Sequence, residues 1–269
     1  LRFVLGAAFW MALGASGTLV YTGQLGLEDL RDHLPDGDDL RRVEDVAPEA
    51  GPREPARVIY LHRGPLALTG GADASHHNRS SVVFSSGLKD VAMPGFSGPD
   101  RTWREVVRCV RTQFAPFAVE VTDVRPEKPG YALVAIGGSP NDLKVDNQRI
   151  TGLAPFSGGV VPDPVVFAFS KAMRNRVRAI CETVAMEVAH AYGLDHTRHC
   201  PDVMSYGGDC GAKTFVDRDA ACGERADRVC ASGQPIQNSF KMMEAVLGLR
   251  EKMATRAAEA PPAQPFHHH

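Results

Sequence analysis

Met186-Glu187-Val188-Ala189-His190-Ala191-Tyr192-Gly193-Leu194-Asp195-His196 reads as the end of a helix, a turn and a return. Positions 186 and 190 are one turn apart, so their side chains share a face with Cβ atoms about 5–6 Å apart. Gly193 ends the helix and lets the chain fold back, which brings the His196 ring toward the His190 ring. Two imidazoles converging in this way can grip one metal ion, and a carboxylate beside them, Glu187, is the group that takes a proton from water. Met186 stands where another imidazole would complete a His-Glu-x-x-His pair. A thioether is neutral and soft, suiting Cu(I) better than Zn(II), and methionine is also a common filler of gaps in a core.

Around this stretch the chain alternates strand and helix signals. Val58-Ile59-Tyr60-Leu61 is a short apolar strand, followed by a Gly/Ser-rich loop over 64–98. Thr102 and Glu105 have the spacing of a capping box, and Trp103, Val106, Val107, Val110 and Phe114 recur at helical spacing until Pro116. Phe117, Val119 and Val121 alternate with Ala118, Glu120 and Thr122 as in a half-buried strand. Tyr131–Ile136 and Val165–Phe169 read as buried strands. Ser170 to Tyr192 reads as the long helix, with Ile180, Val184, Val188 and Ala191 on its core side, away from Met186 and His190. A last helix spans about Asn238 to Leu249. These signals predict an α+β domain over 57–250, with a mixed twisted sheet, a backing helix, a site-bearing helix and a C-terminal helix.

The flanks differ in character. Residues 1–22 hold one charge, Arg2, followed by an apolar run and small residues, matching either a cleavable secretory signal or an N-terminal membrane anchor. Residues 23–56 are acidic and Pro-rich, a linker or pro-segment in which Asp36 or Asp38 could cap a metal. Residues 251–269 form a Pro-rich tail expected to be disordered. The six cysteines of an exported chain read as disulfides, and no Cys-x-x-Cys pair exists for a thiolate metal site. Cys200 with Cys210 and Cys222 with Cys230 make short local loops, leaving Cys109 with Cys181 on two helices. A net charge of −2 with scattered arginines gives no reason to expect nucleic acid as a partner. Asn78-Arg79-Ser80 is a glycosylation triplet, a pattern frequent by chance.

A second segment, Pro201-Asp202-Val203-Met204-Ser205-Tyr206, closely follows His196. Together with Glu187-x-x-His190-x-x-Gly193-x-x-His196 it resembles the metzincin clan of zinc metallopeptidases, over about 57–249. The resemblance implies a zincin domain in which Met204 forms the floor of a zinc site and Tyr206 is a hydroxyl near the metal. It implies zinc on His190 and His196, Glu187 as catalytic base, and a protein or peptide substrate laid along an exposed sheet edge. The departure is Met186, where the clan's first histidine belongs. Met186 itself, His199 or Asp195 would have to complete the ligand set. Three outcomes stay open: a secreted or cell-envelope zinc endopeptidase weakened by that loss, a catalytically silent module that binds a protein or peptide in the old cleft, and a copper-binding protein using Met186.

Overall fold

The computed structural model describes residues 11–13, 19–21, 55–207 and 210–250. The leader, linker and tail readings, with Asp36 and Asp38, lie outside these residues, apart from β1 (Met11–Leu13) and β2 (Leu19–Tyr21), a short antiparallel pair.

The fold is mixed α+β. Five strands form its main sheet: β3 (Val58–His62), β7 (Glu120–Thr122), β8 (Tyr131–Ile136), β9 (Gly152–Leu153) and β10 (Val165–Ala168). Their spatial order is β7-β3-β8-β10-β9, all parallel except β9, which runs antiparallel on the edge. A sheet covered on both faces is built from unbroken apolar runs rather than alternating ones. Tyr131-Ala132-Leu133-Val134-Ala135-Ile136 is such a run, and all six residues are buried.

On one face lie helices α2 (Asp100–Gln113) and α3 (Val177–Ala191), packed on each other and stapled by the Cys109–Cys181 disulfide. Trp103, Val106 and Val110 of α2 meet Ile180, Val184 and Val188 of α3 over Ile59, Val134 and Val166 of the sheet. The other face is covered by a small sheet of β4 (Leu66–Gly70), β5 (Arg79–Ser80) and β6 (Asp90–Met93), with helix α1 (Ser81–Ser85). This layer occupies the span expected as a loop over 64–98. Its strands have two to five residues, too short to show a period. Within it Asn78 is left-handed at φ 54°, its Oδ1 accepts from Arg125 at 2.7 Å, and Ser80 is fully buried as the cap of α1, so the triplet is spent on structure.

Two helix starts differ from the sequence reading. Helix α2 begins at Asp100 after Pro99, which puts Thr102 inside the first turn instead of at the cap, and Glu105 pairs with Arg101 at 3.1 Å. Helix α3 begins at Val177, not Ser170, because Arg174 (φ 52°) and Asn175 (φ 53°) are left-handed and interrupt the helical turn. Helix α4 (Ser239–Leu247) is capped by the Asn238 side chain, which accepts from Lys241 N–H at 3.0 Å. A two-stranded ribbon, β11 (Ala220–Ala221) with β12 (Ile236–Gln237), precedes it. All six cysteines pair as Cys109–Cys181, Cys200–Cys210 and Cys222–Cys230. No helix among the described residues is long and apolar enough to cross a membrane.

Candidate metal centre

Helix α3 ends in a Schellman turn around Gly193 (φ +98°). The Gly193 N–H bonds His190 O at 2.9 Å and the Leu194 N–H bonds Ala189 O at 3.0 Å. A Cβ at Gly193 would lie 3.0 Å from the Gly159 backbone, so both the conformation and the space call for glycine. The turn aims the Leu194 carbonyl back at the helix, where it accepts from His190 Nδ1 at 2.7 Å. Two residues later His196 meets His190: their Nε2 atoms are 2.9 Å apart and the rings stand edge to face, with centroids 4.4 Å apart.

The outer nitrogens decide the protonation of this pair. A carbonyl only accepts, so the His190 proton sits on Nδ1. His196 Nδ1 faces the Glu224 carboxylate at 2.9 Å. Burial pushes the Glu224 pKa up, but hydrogen bonds from Arg228 and His196 outweigh it and hold the carboxyl below its ordinary value. His196 therefore donates through Nδ1 to a carboxylate. Desolvation and then the charge of His196 lower the His190 pKa to about 3, and desolvation lowers that of His196 despite Glu224. Both rings are thus neutral near pH 7, and both inner Nε2 atoms carry lone pairs. Two lone pairs facing each other at 2.9 Å repel unless a cation lies between them. In a tetrahedral zinc site with Zn–N about 2.0–2.1 Å, two nitrogens are about 3.3 Å apart. The pair fits two ligands of one ion.

Glu187 precedes His190 on α3 and is buried, 7% exposed, against the edge strand: a Cβ at Gly152 of β9 would lie 2.5 Å from Glu187 Cγ. Desolvation raises its pKa to about 8. Tyr206 lays its ring on His196, centroids 4.2 Å apart, and desolvation followed by the charges of Glu187 and Glu224 pushes its hydroxyl to about 12. Phe156 stands edge-on to His190 at 5.4 Å. Met204 is fully buried in the main core, and its carbonyl accepts from Thr197 N–H at 3.1 Å, so the Met204 turn is tied to the residue after His196. Asp202 holds the turn from below, accepting from Met204 N–H at 2.9 Å and from Ser239 Oγ at 2.5 Å.

Not every expected residue joins the centre. Met186 is half-buried and packs against the main core one turn before His190. The His199 carbonyl accepts from Asp202 N–H at 2.9 Å, so His199 belongs to the turn. Asp195 is also spent: its carboxylate accepts from both terminal nitrogens of Arg228 at 2.5 and 2.7 Å, from Ala231 N–H at 2.9 Å and from His196 N–H at 2.7 Å. Asp195, His196 and Glu224 converge closely enough to hold a cation, but the Arg228 guanidinium already joins the two carboxylates and His196 offers that cluster only its protonated Nδ1. Gly152, Glu224 and Arg228 had no sequence signal, since nothing local in the chain links them to the helix. Among protein-family models none matches this chain, and no curated protein is significantly similar to it.

Proposed function

We propose that the chain is a metzincin-type zinc metallopeptidase, or a protein built on one, that acts on protein or peptide substrates outside the cytoplasm. The supporting observation is the His190–His196 pair, whose two Nε2 lone pairs converge while both Nδ1 protons are committed elsewhere. Zinc in such a place supplies a Lewis acid that polarises a carbonyl and acidifies water. A cation held by the two imidazoles would favour the ionised form of Glu187 against the desolvation that raises its pKa in the metal-free chain, and in that form Glu187 takes the proton of the attacking water and returns it to the departing amine. Tyr206 keeps its proton up to about pH 12 and donates a hydrogen bond to the developing oxyanion. The free side of β9 offers backbone groups to an extended peptide. Secretion agrees with the three disulfides, which persist in oxidising compartments.

Met186 favours a second reading. Catalytic zinc takes three protein ligands, and a core-packed thioether is a poor third. A metzincin-like module that binds a peptide without cleaving it would keep the same fold. Elemental analysis of the purified chain with a casein-cleavage assay separates the two. One zinc per chain, with cleavage that a chelator stops and Glu187→Ala abolishes without metal loss, supports the peptidase. A metal-free chain with no cleavage leaves the binding module, and copper retained under reducing conditions would point to Met186 as a ligand.

A further inference from the structure

The loop over 222–230 has no counterpart in the sequence pattern that led to the centre, yet it reaches the heart of it. The Cys222–Cys230 disulfide closes it across a separation of 8 residues. Cys222 bridges to Thr197, and the Gly223 N–H bonds the His196 carbonyl at 3.0 Å, so the loop is laid against the ligand segment itself. From that base Glu224 reaches His196 Nδ1 at 2.9 Å. Arg228, one helical spacing later, bonds Glu224 at 2.8 Å and both oxygens of Asp195. Gln237 fixes the Asp195 backbone from the other side, donating to its carbonyl and accepting from its N–H, each at 2.7 Å. His196 is thereby held by its main chain on one side and by a carboxylate on its ring.

We infer that Glu224, delivered by the Cys222–Cys230 loop and locked by Arg228, is a positioning residue that orients His196 and strengthens it as a metal donor, offsetting the missing imidazole at 186. The inference rests on the metal reading given above. The two rings differ in their outer partners: His190 donates to a neutral carbonyl, whereas His196 donates to an anion. A carboxylate behind an imidazole fixes its tautomer and raises the basicity of the opposite nitrogen. In a centre with two assured nitrogen ligands, that extra donor strength matters more than it would with three. Glu224 is 37% exposed and outside the core, so its replacement tests the ring and not the packing.

The test is a competitive zinc titration of the full chain, with cobalt(II) absorption as the readout of ligand geometry. Glu224→Gln keeps size and hydrogen-bonding shape but removes the charge, and is expected to weaken zinc binding about 10–100-fold with an altered cobalt spectrum and an unchanged melting temperature. Glu224→Asp retains the anion and is expected to stay closer to the wild-type affinity than Gln does. Wild-type zinc affinity in Glu224→Gln, or equal losses in Gln and Asp, overturns the inference while leaving the metal reading intact. A wild-type chain that takes up neither zinc nor cobalt overturns both.

Discussion

At the scale of single residues the candidate centre is tested most directly at Met186, beside it on α3, and at Gly152, against Glu187. Met186 lies on α3 one turn before His190, a position from which a further imidazole could join the pair. Met186→His should therefore raise zinc affinity by at least about tenfold, or about 1.4 kcal/mol, and raise casein cleavage with it; a variant that binds zinc tightly and still cleaves nothing would show that the cleft itself has been remodelled. Gly152 tests Glu187 from the opposite side. A methyl there would overlap Glu187 Cγ at 2.5 Å and Oε1 at 2.6 Å, and the carboxylate is the softer partner, so it moves. Gly152→Ala is expected to cost stability modestly, about 1–3 kcal/mol, and to cut turnover at least tenfold with zinc content unchanged. Equal turnover in the variant would argue that the present position of Glu187 is not the working one.

Among the elements, legibility followed length and period. Strand β8 and helix α2 announce themselves because their apolar runs are long enough to exceed chance, and the Gly193 turn because only glycine fits there. The β4-β5-β6 layer leaves no sequence pattern because its strands are too short to carry alternation, and the helical pattern overextends α3 because Arg174 and Asn175 give no warning of a left-handed turn. The helix and its Met204 turn were visible as a motif, whereas Glu224 and Arg228 meet His196 and Asp195 only through tertiary folding of a disulfide loop. The anchoring of the turn gives a test at this scale. Asp202 is 1% exposed and serves both Met204 N–H and Ser239 Oγ, joining the turn to the start of α4. Asp202→Ala strands these buried donors, at about 1–3 kcal/mol. It should lower the melting temperature and, because Thr197 hangs on Met204, weaken zinc binding too; a variant with lost stability but full zinc affinity would separate turn from centre.

For the whole molecule the balance of buried charges sets how stability responds to pH when no metal is bound. Glu187 has its pKa raised by desolvation from 4.5 to about 8, so the folded state holds a proton that the unfolded chain has lost. Its contribution is complete below about pH 4.5 and disappears as pH rises through about 8. Asp73, between the small layer and β10, acts in the same direction, its pKa raised by desolvation to about 6. His190 acts oppositely: depressed from 6.5 to about 3, it stabilises fully above 6.5 and fails as pH falls through 3. The chelator-treated protein should therefore lose stability between pH 6.5 and 8, above the window in which the gain from His190 offsets the loss, on the order of 2 kcal/mol from Glu187 at full burial. Glu187→Gln removes that slope and leaves the acid-side loss of His190 in place. The melting-temperature difference between variant and wild type, measured in chelator, should widen in favour of the variant from pH 5 to pH 8, and a constant difference would mean that Glu187 is solvated rather than buried beside the imidazoles.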